Sequence, residues 1–333
     1  MVQKKIYVAG NMIVDILYPV TGLPKPGELT SIEEGISRST GGAACNVIGD
    51  LALMDPALSL AALGRVGADP EGDYVLETLG AYKNIDLSMV RREGKTSFTA
   101  VMADTISKER TFFHYRGANA VFCEDDIDWD KIDAGFLHIG YILLLDTLDS
   151  ADPEYGTKMA RLLCHAKERG IKTSVDVVSE AGDRFRRLVP PSLKYTDYCI
   201  INELEAGQVT GISLRDAAGK LLSSSVPRVL EEIKKLGVSQ WVVIHCPEGG
   251  FGLDERSRFV ESKSFKLPPD YIKGTVGAGD AFCAGTIYAA SQGGSLGEGL
   301  ELGNAAAAAS LSRQGASEGM LPIAELKKLK ERF

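Results

Sequence analysis

The segment KGTVGAGDAFCAGTIYAAS places glycines and a carboxylate in an order suited to phosphoryl chemistry. Gly277, Ala278 and Gly279 run directly into an apolar helical pattern that begins near Asp280. Glycine lets successive backbone N–H groups turn toward one point, and a helix N-terminus adds positive potential there, so an anion fits. Asp280, at the rim of that site, is placed to take a proton from an attacking hydroxyl while the amides stabilise charge on a transferring phosphoryl group. A plain helix N-cap would carry the same residue. A second glycine pair, in TGGAACN at Thr40 to Asn46, also stands just before a helical pattern. Gly41 and Gly42 leave room for a polar ligand to approach the backbone, and Asn46 projects from the first turn. A tight strand-to-helix turn with no ligand is the alternative.

These motifs sit in a regular alternation of elements. KKIYVAG, LSLAALGRVG, GFLHIGYI, IKTSVDVV, YTDYCIIN and QWVVIH read as strands, and GGAACNVIGDLALM, GDYVLETLGAYK, YGTKMARLLCHAKERG and VPRVLEEIKKLG as helices. That rhythm predicts a mostly parallel sheet covered by helices on both faces. The alanine run Ala305 to Ala309 predicts a helix packed closely against its neighbours. Two segments break the rhythm: 15–40, rich in Pro and Gly, and 95–118, where TSFTAVMAD and ERTFFHYRG read as a strand pair around the turn DTISKE. Together they predict a small sheet standing off the main domain (1–14, 41–94 and 119–333). In its second strand Phe112, His114 and Arg116 share one face and Thr111, Phe113 and Tyr115 the other. Apolar residues on both faces suit a lid that covers a ligand on one side and meets a partner on the other. A hairpin packed on its own domain is the alternative.

The 333 residues are 44% hydrophobic and 25% charged, as in ordinary globular proteins. The formal net charge of -8 argues against the broad basic surface of a nucleic-acid binder. No stretch approaches the ~18–20 uninterrupted apolar residues of a membrane helix, and Asn11 and Asp15 stand where the apolar part of a signal peptide would be. A cytoplasmic protein with no membrane partner is therefore expected. The six scattered cysteines, with no CxxC pair and no His at ligand spacing, read as buried thiols rather than a metal site. No GxGxxG follows the first strand, where AGNMIVD stands, which argues against a dinucleotide-binding oxidoreductase.

Taken in order, GGAACN at Gly41 to Asn46, GRVGADPEG at Gly64 to Gly72, RGANA at Arg116 to Ala120, NELE at Asn202 to Glu205 and GTVGAGD at Gly274 to Asp280 resemble the ribokinase-like (pfkB) carbohydrate kinase family over essentially the full chain. The resemblance implies a three-layer α/β/α fold with a mostly parallel central sheet and a small protruding β-sheet lid. It implies an ATP-dependent sugar kinase acting on a hydroxymethyl group of a pentose or ketohexose. Asp280 would be the base, with Gly277, Ala278 and Gly279 as its anion hole. Asp15, Gly41, Gly42, Asn46 and Arg116 would hold the sugar, Asp15 as a two-oxygen hydroxyl acceptor. Asn202, Glu205, Gly250, Thr275, Gly277, Gly279 and Asn304 would meet the nucleotide, Glu205 acting on Mg2+ through water. A homodimer through the lid is also implied. A nucleoside kinase of the same fold is the nearest alternative. A catalytically silent binding protein is a remoter one, because it would have no need of Asp280.

The pattern departs in places. Ile13 and Ala43 stand where ribokinase has Asn and Lys, which changes the hydroxyls that can be read. DVVSE at Asp176 to Glu180 lacks the Arg of the D-x-N-x-R found in relatives acting on acidic sugars, so such a substrate would need another cation, Arg116 or Arg110 on the lid. Gly274 replaces the Asp that helps hold a monovalent cation in many relatives, although RQGAS at Arg313 to Ser317 resembles the other half of that site. Weak or absent potassium dependence is expected; a severalfold rate increase on replacing sodium with potassium would overturn it.

Overall fold

Along IYVAG every side chain is buried, and alternate residues enter opposite cores: Ile6 and Val8 one, Tyr7 and Ala9 the other. LAALGRV and WVVIHC repeat the pattern, with Leu60, Ala62, Trp241 and Val243 on the first side and Ala61, Leu63, Val242 and Ile244 on the second. A strand that is apolar on both faces must lie inside a sheet covered twice. The computed structural model, which describes residues 5–107, 109–133, 135–179 and 182–333, shows that arrangement.

In chain order the N-terminal part runs β1 (Ile6–Gly10), β2 (Ile13–Val20), β3 (Ser37–Gly41), α1 (Ala43–Met54), β4 (Leu60–Val66) and α2 (Pro70–Gly80). It continues through β5 (Ile85–Asp86), β6 (Val90–Arg92), β7 (Ser97–Asp104), β8 (Arg110–Tyr115) and β9 (Phe136–Ile142). Then follow β10 (Ala151–Asp152), β11 (Gly156–Thr157), α3 (Lys158–Glu168), β12 (Lys172–Val177), α4 (Phe185–Leu193), β13 (Tyr198–Asn202), α5 (Glu203–Thr210) and α6 (Val226–Lys235). The chain closes with β14 (Trp241–Cys246), β15 (Gly249–Leu253), β16 (Phe259–Lys263), α7 (Ala278–Ser291), α8 (Leu296–Ser310) and α9 (Ile323–Arg332).

The central sheet has the order β16-β15-β14-β13-β12-β9-β1-β4-β5, with β6 beside β4. It is parallel from β14 to β5, and β15 and β16 add an antiparallel edge. Helices α1, α2, α7, α8 and α9 cover one face, and α3 to α6 cover the other. The alanine-rich α8 packs so closely on α7 that a Cβ at Gly303 would come within 2.9 Å of Thr286 Oγ1. Among the described residues no helix is long and apolar enough to cross a membrane.

A separate four-stranded sheet, β3-β2-β7-β8, is built from the two segments that break the rhythm. It begins at Ile13 and takes in Gly41, a little beyond the expected limits, because β2 starts two residues after β1 ends and β3 runs straight into the glycine pair. The turn between β7 and β8 includes Lys108, which lies outside the described residues, as do residues 1–4 of the main domain. Phe112, Phe113 and Tyr115 of β8 are all exposed, from both faces of the strand, and so are Leu29, Ile36 and Ile106 nearby.

One buried residue is poorly matched to its place. Asp50 of α1 is fully buried and neither carboxylate oxygen accepts a hydrogen bond. Burial drives its pKa well upward, reinforced by the charge of Asp280. A carboxyl whose folded pKa lies above its unfolded value opposes folding increasingly as pH rises past the unfolded value, because the native state demands the proton. Asp50→Asn removes that demand. Thermal unfolding across pH is expected to show the variant gaining stability over the parent as pH rises above about 4, the ordinary carboxylate range; a pH-independent difference would contradict this account.

Candidate active site

In a parallel sheet all carboxyl ends lie along one edge, and loops leaving them converge there. Among the adjacent strands β14, β13, β12 and β9, β13 ends on Asn202 and the others carry His245, Asp176 and Tyr141 one residue before their ends, and Asn11 follows β1. The register pairs Asn202 with His245 and Gly10 with Gly140, which levels these ends. Across them lies the start of α7. Tyr141, Asp176, Ser179, Asn202, Glu205 and His245 face Gly277, Gly279 and Asp280 around a cavity of about 240 Å3.

Asp280 is 5% exposed. Its Oδ2 accepts a hydrogen bond from Asn46 Nδ2 at 2.8 Å and its Oδ1 one from the Tyr141 hydroxyl at 2.7 Å. Burial raises its pKa above the ordinary carboxylate value, and these two donors hold the rise in check. Such a group suits a general base, which needs to be ionised yet basic. Tyr141 is half-buried, but desolvation of its hydroxyl and the charges of Asp280 and Asp176 push its own pKa far up and keep it a neutral donor. Asp280 is in the first turn of α7, with Gly277 at its N-cap in left-handed backbone, φ 78°, and Gly277 and Gly279 lie in the cavity wall at the positive end of the helix.

The glycine pair before α1 works differently from a simple opening for ligand. A Cβ at Gly41 would sit 2.1 Å from Asp15 Oδ2, and one at Gly42, where φ is 83°, would sit 2.4 Å from the Asn11 carbonyl oxygen. The space the glycines leave is filled by the Asp15 carboxylate and the Asn11 backbone. Burial lifts the Asp15 pKa to about 6, against the Thr99 hydroxyl, which lowers it, and with the nearby charge of Asp280, which raises it.

NELE is first a capping box. Asn202 Oδ1 accepts from the Leu204 and Glu205 amides, each at 2.9 Å, while Glu205 Oε2 accepts from the Asn202 amide at 2.9 Å. Ser179 joins them, donating to Glu205 Oε1 at 2.8 Å and accepting from Asn202 Nδ2 at 3.0 Å. Burial lifts Glu205 to a pKa of about 7 despite these donors. Asp176 is pushed well above its ordinary value by burial and by the charges of Glu205 and Asp280. His245 is half-buried and stacked on Phe282 with ring centroids 5.0 Å apart; desolvation of its ring lowers its pKa to about 4, so it is neutral at physiological pH.

Asn202, His245 and Gly279 also border a second cavity, of about 620 Å3, that continues past Thr275, Phe265, Phe282 and Asn304. Asn304 Nδ2 is committed to the backbone of Ser262 at 2.9 Å. A third cavity of about 670 Å3, between α7, α8 and α9, lies apart from these acids and is lined by surface lysines and glutamates.

Two expected site residues are placed elsewhere. Gly250 lies within β15, where a Cβ would meet Phe282 Cζ at 2.7 Å, so packing accounts for the glycine. Arg116, at the foot of the small sheet, donates to the Leu143 carbonyl at 2.8 Å and pairs with Asp146 at 3.1 Å. Arg110, the other lid cation considered, is on β8 and exposed. Glu180 of DVVSE lies outside the described residues. Conversely, sequence reasoning passed over Tyr141, Ser179 and His245 and used Asp176 only to note a missing Arg. Their one visible signal was position near the end of a strand.

Residues 3–324 match the pfkB family carbohydrate kinases. Over 337 residues the chain is 27% identical to the ATP-dependent ribose-1-phosphate kinase of Halopiger xanaduensis, covering 99% of each. Its fold is that of ribokinase from Thermotoga maritima (TM-score 0.79, 21% identity, 98% and 99% of the two chains). It is equally that of Arabidopsis thaliana ribokinase complexed with ribose and ATP (TM-score 0.78, 22% identity, 98% of each). The chain therefore belongs to the pfkB family of carbohydrate kinases and has the ribokinase-like α/β fold.

Proposed function

We propose, from the premise that the chain is a pfkB family carbohydrate kinase, that it moves the γ-phosphoryl group of ATP to a hydroxymethyl group of a pentose or ketohexose. The observation that carries this is Asp280, a buried carboxylate fixed by two donors beside the Gly277–Gly279 amides where two cavities meet. The larger, partly apolar cavity past Thr275 and Asn304 suits a nucleobase and ribose, and the smaller one suits the phosphates. The acceptor would sit between Asp280 and Asp15, under the small sheet.

In the proposed step the acceptor hydroxyl loses its proton to Asp280 as its oxygen bonds to the γ-phosphorus in line with the departing ADP oxygen. The backbone N–H groups of Gly277 to Gly279 neutralise charge on the transferring group. Asn46 orients the base from the side opposite Tyr141. Closure of the small sheet, a lid in this reading, would exclude water and limit ATP hydrolysis.

The acidic residues also bear on a divalent ion. Among the described residues no three His, Cys, Asp or Glu side chains are grouped to cage a metal. Mg2+ keeps several waters and is held by one or two carboxylates together with phosphates. Asp176 and Glu205, both raised in pKa by burial, with the Glu205 charge adding to Asp176, fit that mode, since a nearby cation would return them to the ionised form. Mg2+ bound there would neutralise phosphate charge. Gly274 is pressed against the chain, its Cβ direction meeting the Arg313 carbonyl oxygen at 2.9 Å, which leaves little room for a cation-binding side chain and supports weak potassium dependence.

The enzyme is further proposed to act in the cytoplasm, without nucleic-acid or membrane partners, as a homodimer joined through the lids. The exposed Phe112, Phe113 and Tyr115 on both faces of β8 support the dimer. Light scattering is expected to return twice the chain mass; a monomer at assay concentration would refute the clasp.

ADP release from Mg-ATP should be measured against pentoses, hexoses, sugar acids, sugar phosphates and nucleosides, with Asp280→Asn alongside. Turnover with free pentoses or ketohexoses, reduced about 10²–10⁴-fold in the variant, is expected. Turnover confined to nucleosides or to sugar phosphates would redirect the substrate assignment, and an unimpaired variant would remove Asp280 as the base.

A further inference from the structure

The base has two oxygens and two protein donors, and the donors are not equivalent. Asn46 is held within α1 and is 6% exposed. Tyr141 instead forms part of the cavity wall, and its hydroxyl reaches Asp280 Oδ1 from the side where Asp176 and Glu205 lie. Its backbone is anchored to the structure below: the Tyr141 amide donates to Asn11 Oδ1 at 3.0 Å, and Asn11 is wholly buried. The turn that follows is fixed as firmly. Leu143 takes a left-handed backbone, φ 86°, with its amide donating to Asp149 Oδ1 at 3.1 Å. The Leu143 carbonyl accepts from Arg116 at 2.8 Å and from Arg184 at 3.3 Å. Arg116 belongs to the segment that leaves the small sheet after β8, so the turn carrying the phenol is tied to the root of the lid.

We infer that Tyr141 is a positioning residue for the phosphoryl-transfer base: its hydroxyl keeps Asp280 ionised and turned so that a remaining lone pair meets the acceptor hydroxyl. The inference rests on the reading of Asp280 as the base. Three acids, Asp280, Asp176 and Glu205, border one small cavity, and each charge there makes the next harder to keep. A phenol that donates and never ionises lowers the cost of charge on one of the three without adding a cation that would compete for phosphate. A hydrogen bond to the charged form of a carboxyl favours that form, so its loss raises the base's pKa and moves the acid limb of the rate profile to higher pH.

The test is the pH dependence of kcat/KM for the full-length enzyme, Tyr141→Phe, the chain with 3-fluorotyrosine at 141, and Asp280→Asn. Tyr141→Phe is expected to move the acid limb up by about one pH unit, costing about tenfold on the acid side and little on the alkaline side, with the KM for ATP unchanged. Fluorotyrosine, an isosteric and stronger donor, is expected to move it down, and it keeps the inference testable should the Phe variant fold poorly. A Tyr141→Phe profile superimposed on the parent's, a fluorotyrosine limb that does not move, or a loss equal at every pH with a raised acceptor KM would each overturn the inference while leaving Asp280 as base. Turnover surviving in Asp280→Asn would instead overturn the reading on which it rests.

Discussion

A carboxylate that must be buried and yet able to ionise is the constraint from which the site follows. Removing an ion from water costs several kcal/mol unless donors replace the lost hydration. Here the replacements come from two distant parts of the chain, Asn46 on α1 and Tyr141 near the end of β9, both meeting the first turn of α7. The packing of α1 and α7 on one face of the sheet is therefore what brings Asn46 to the Asp280 carboxylate, the proposed base. If that crossing shifted by an ångström, Asp280 would keep its burial and lose its compensation.

The same economy appears in the glycines. Gly41 and Gly42 have their small size spent on other parts of the protein, the Asp15 carboxylate and the Asn11 backbone. Asn11 in turn receives the Tyr141 amide. The N-terminal glycine pair is thus a spacer that lets Asn11, just past β1, and the Asp15 carboxylate approach the helix start. Its effect on Asp280 is indirect, through the elements it allows to come together.

Much of this was legible in the sequence. The central strands read clearly because a doubly covered sheet imposes continuous apolar runs, as in IYVAG and WVVIHC. The glycine–aspartate segment, GGAACN and NELE were legible because the backbone needs of a helix start restrict residue type to glycine, asparagine and acid. Helix α4 was not among the elements read: Pro190 and Pro191 lie in the second half of this nine-residue helix, where proline is ordinarily disfavoured. Tyr141, Asp176 and His245 were hidden for a different reason. Each lies one residue before the end of a strand, and which ends become neighbours depends on the sheet order β14-β13-β12-β9-β1, which no local pattern encodes.

The charge balance of the site then limits what can work in it. Among the described residues the cavity beside Asp280 is lined by three acids, a neutral histidine, a phenol and small polar groups, with no lysine or arginine. A phosphate entering such a wall meets repulsion from every carboxylate that remains ionised. Two sources of compensation are available: the oriented amides at the start of α7, which belong to the fold, and a cation arriving with the nucleotide. In the proposed function the acids on the opposite wall are the counterpart of that cation. Their raised pKa values then reflect the cost of holding them ready, a cost that nucleotide binding relieves. On the proposed reading, nucleotide binding and ionisation of Asp176 and Glu205 would be linked, and Asp280 would be spared because Asn46 and Tyr141 donate to its carboxylate independently of any nucleotide.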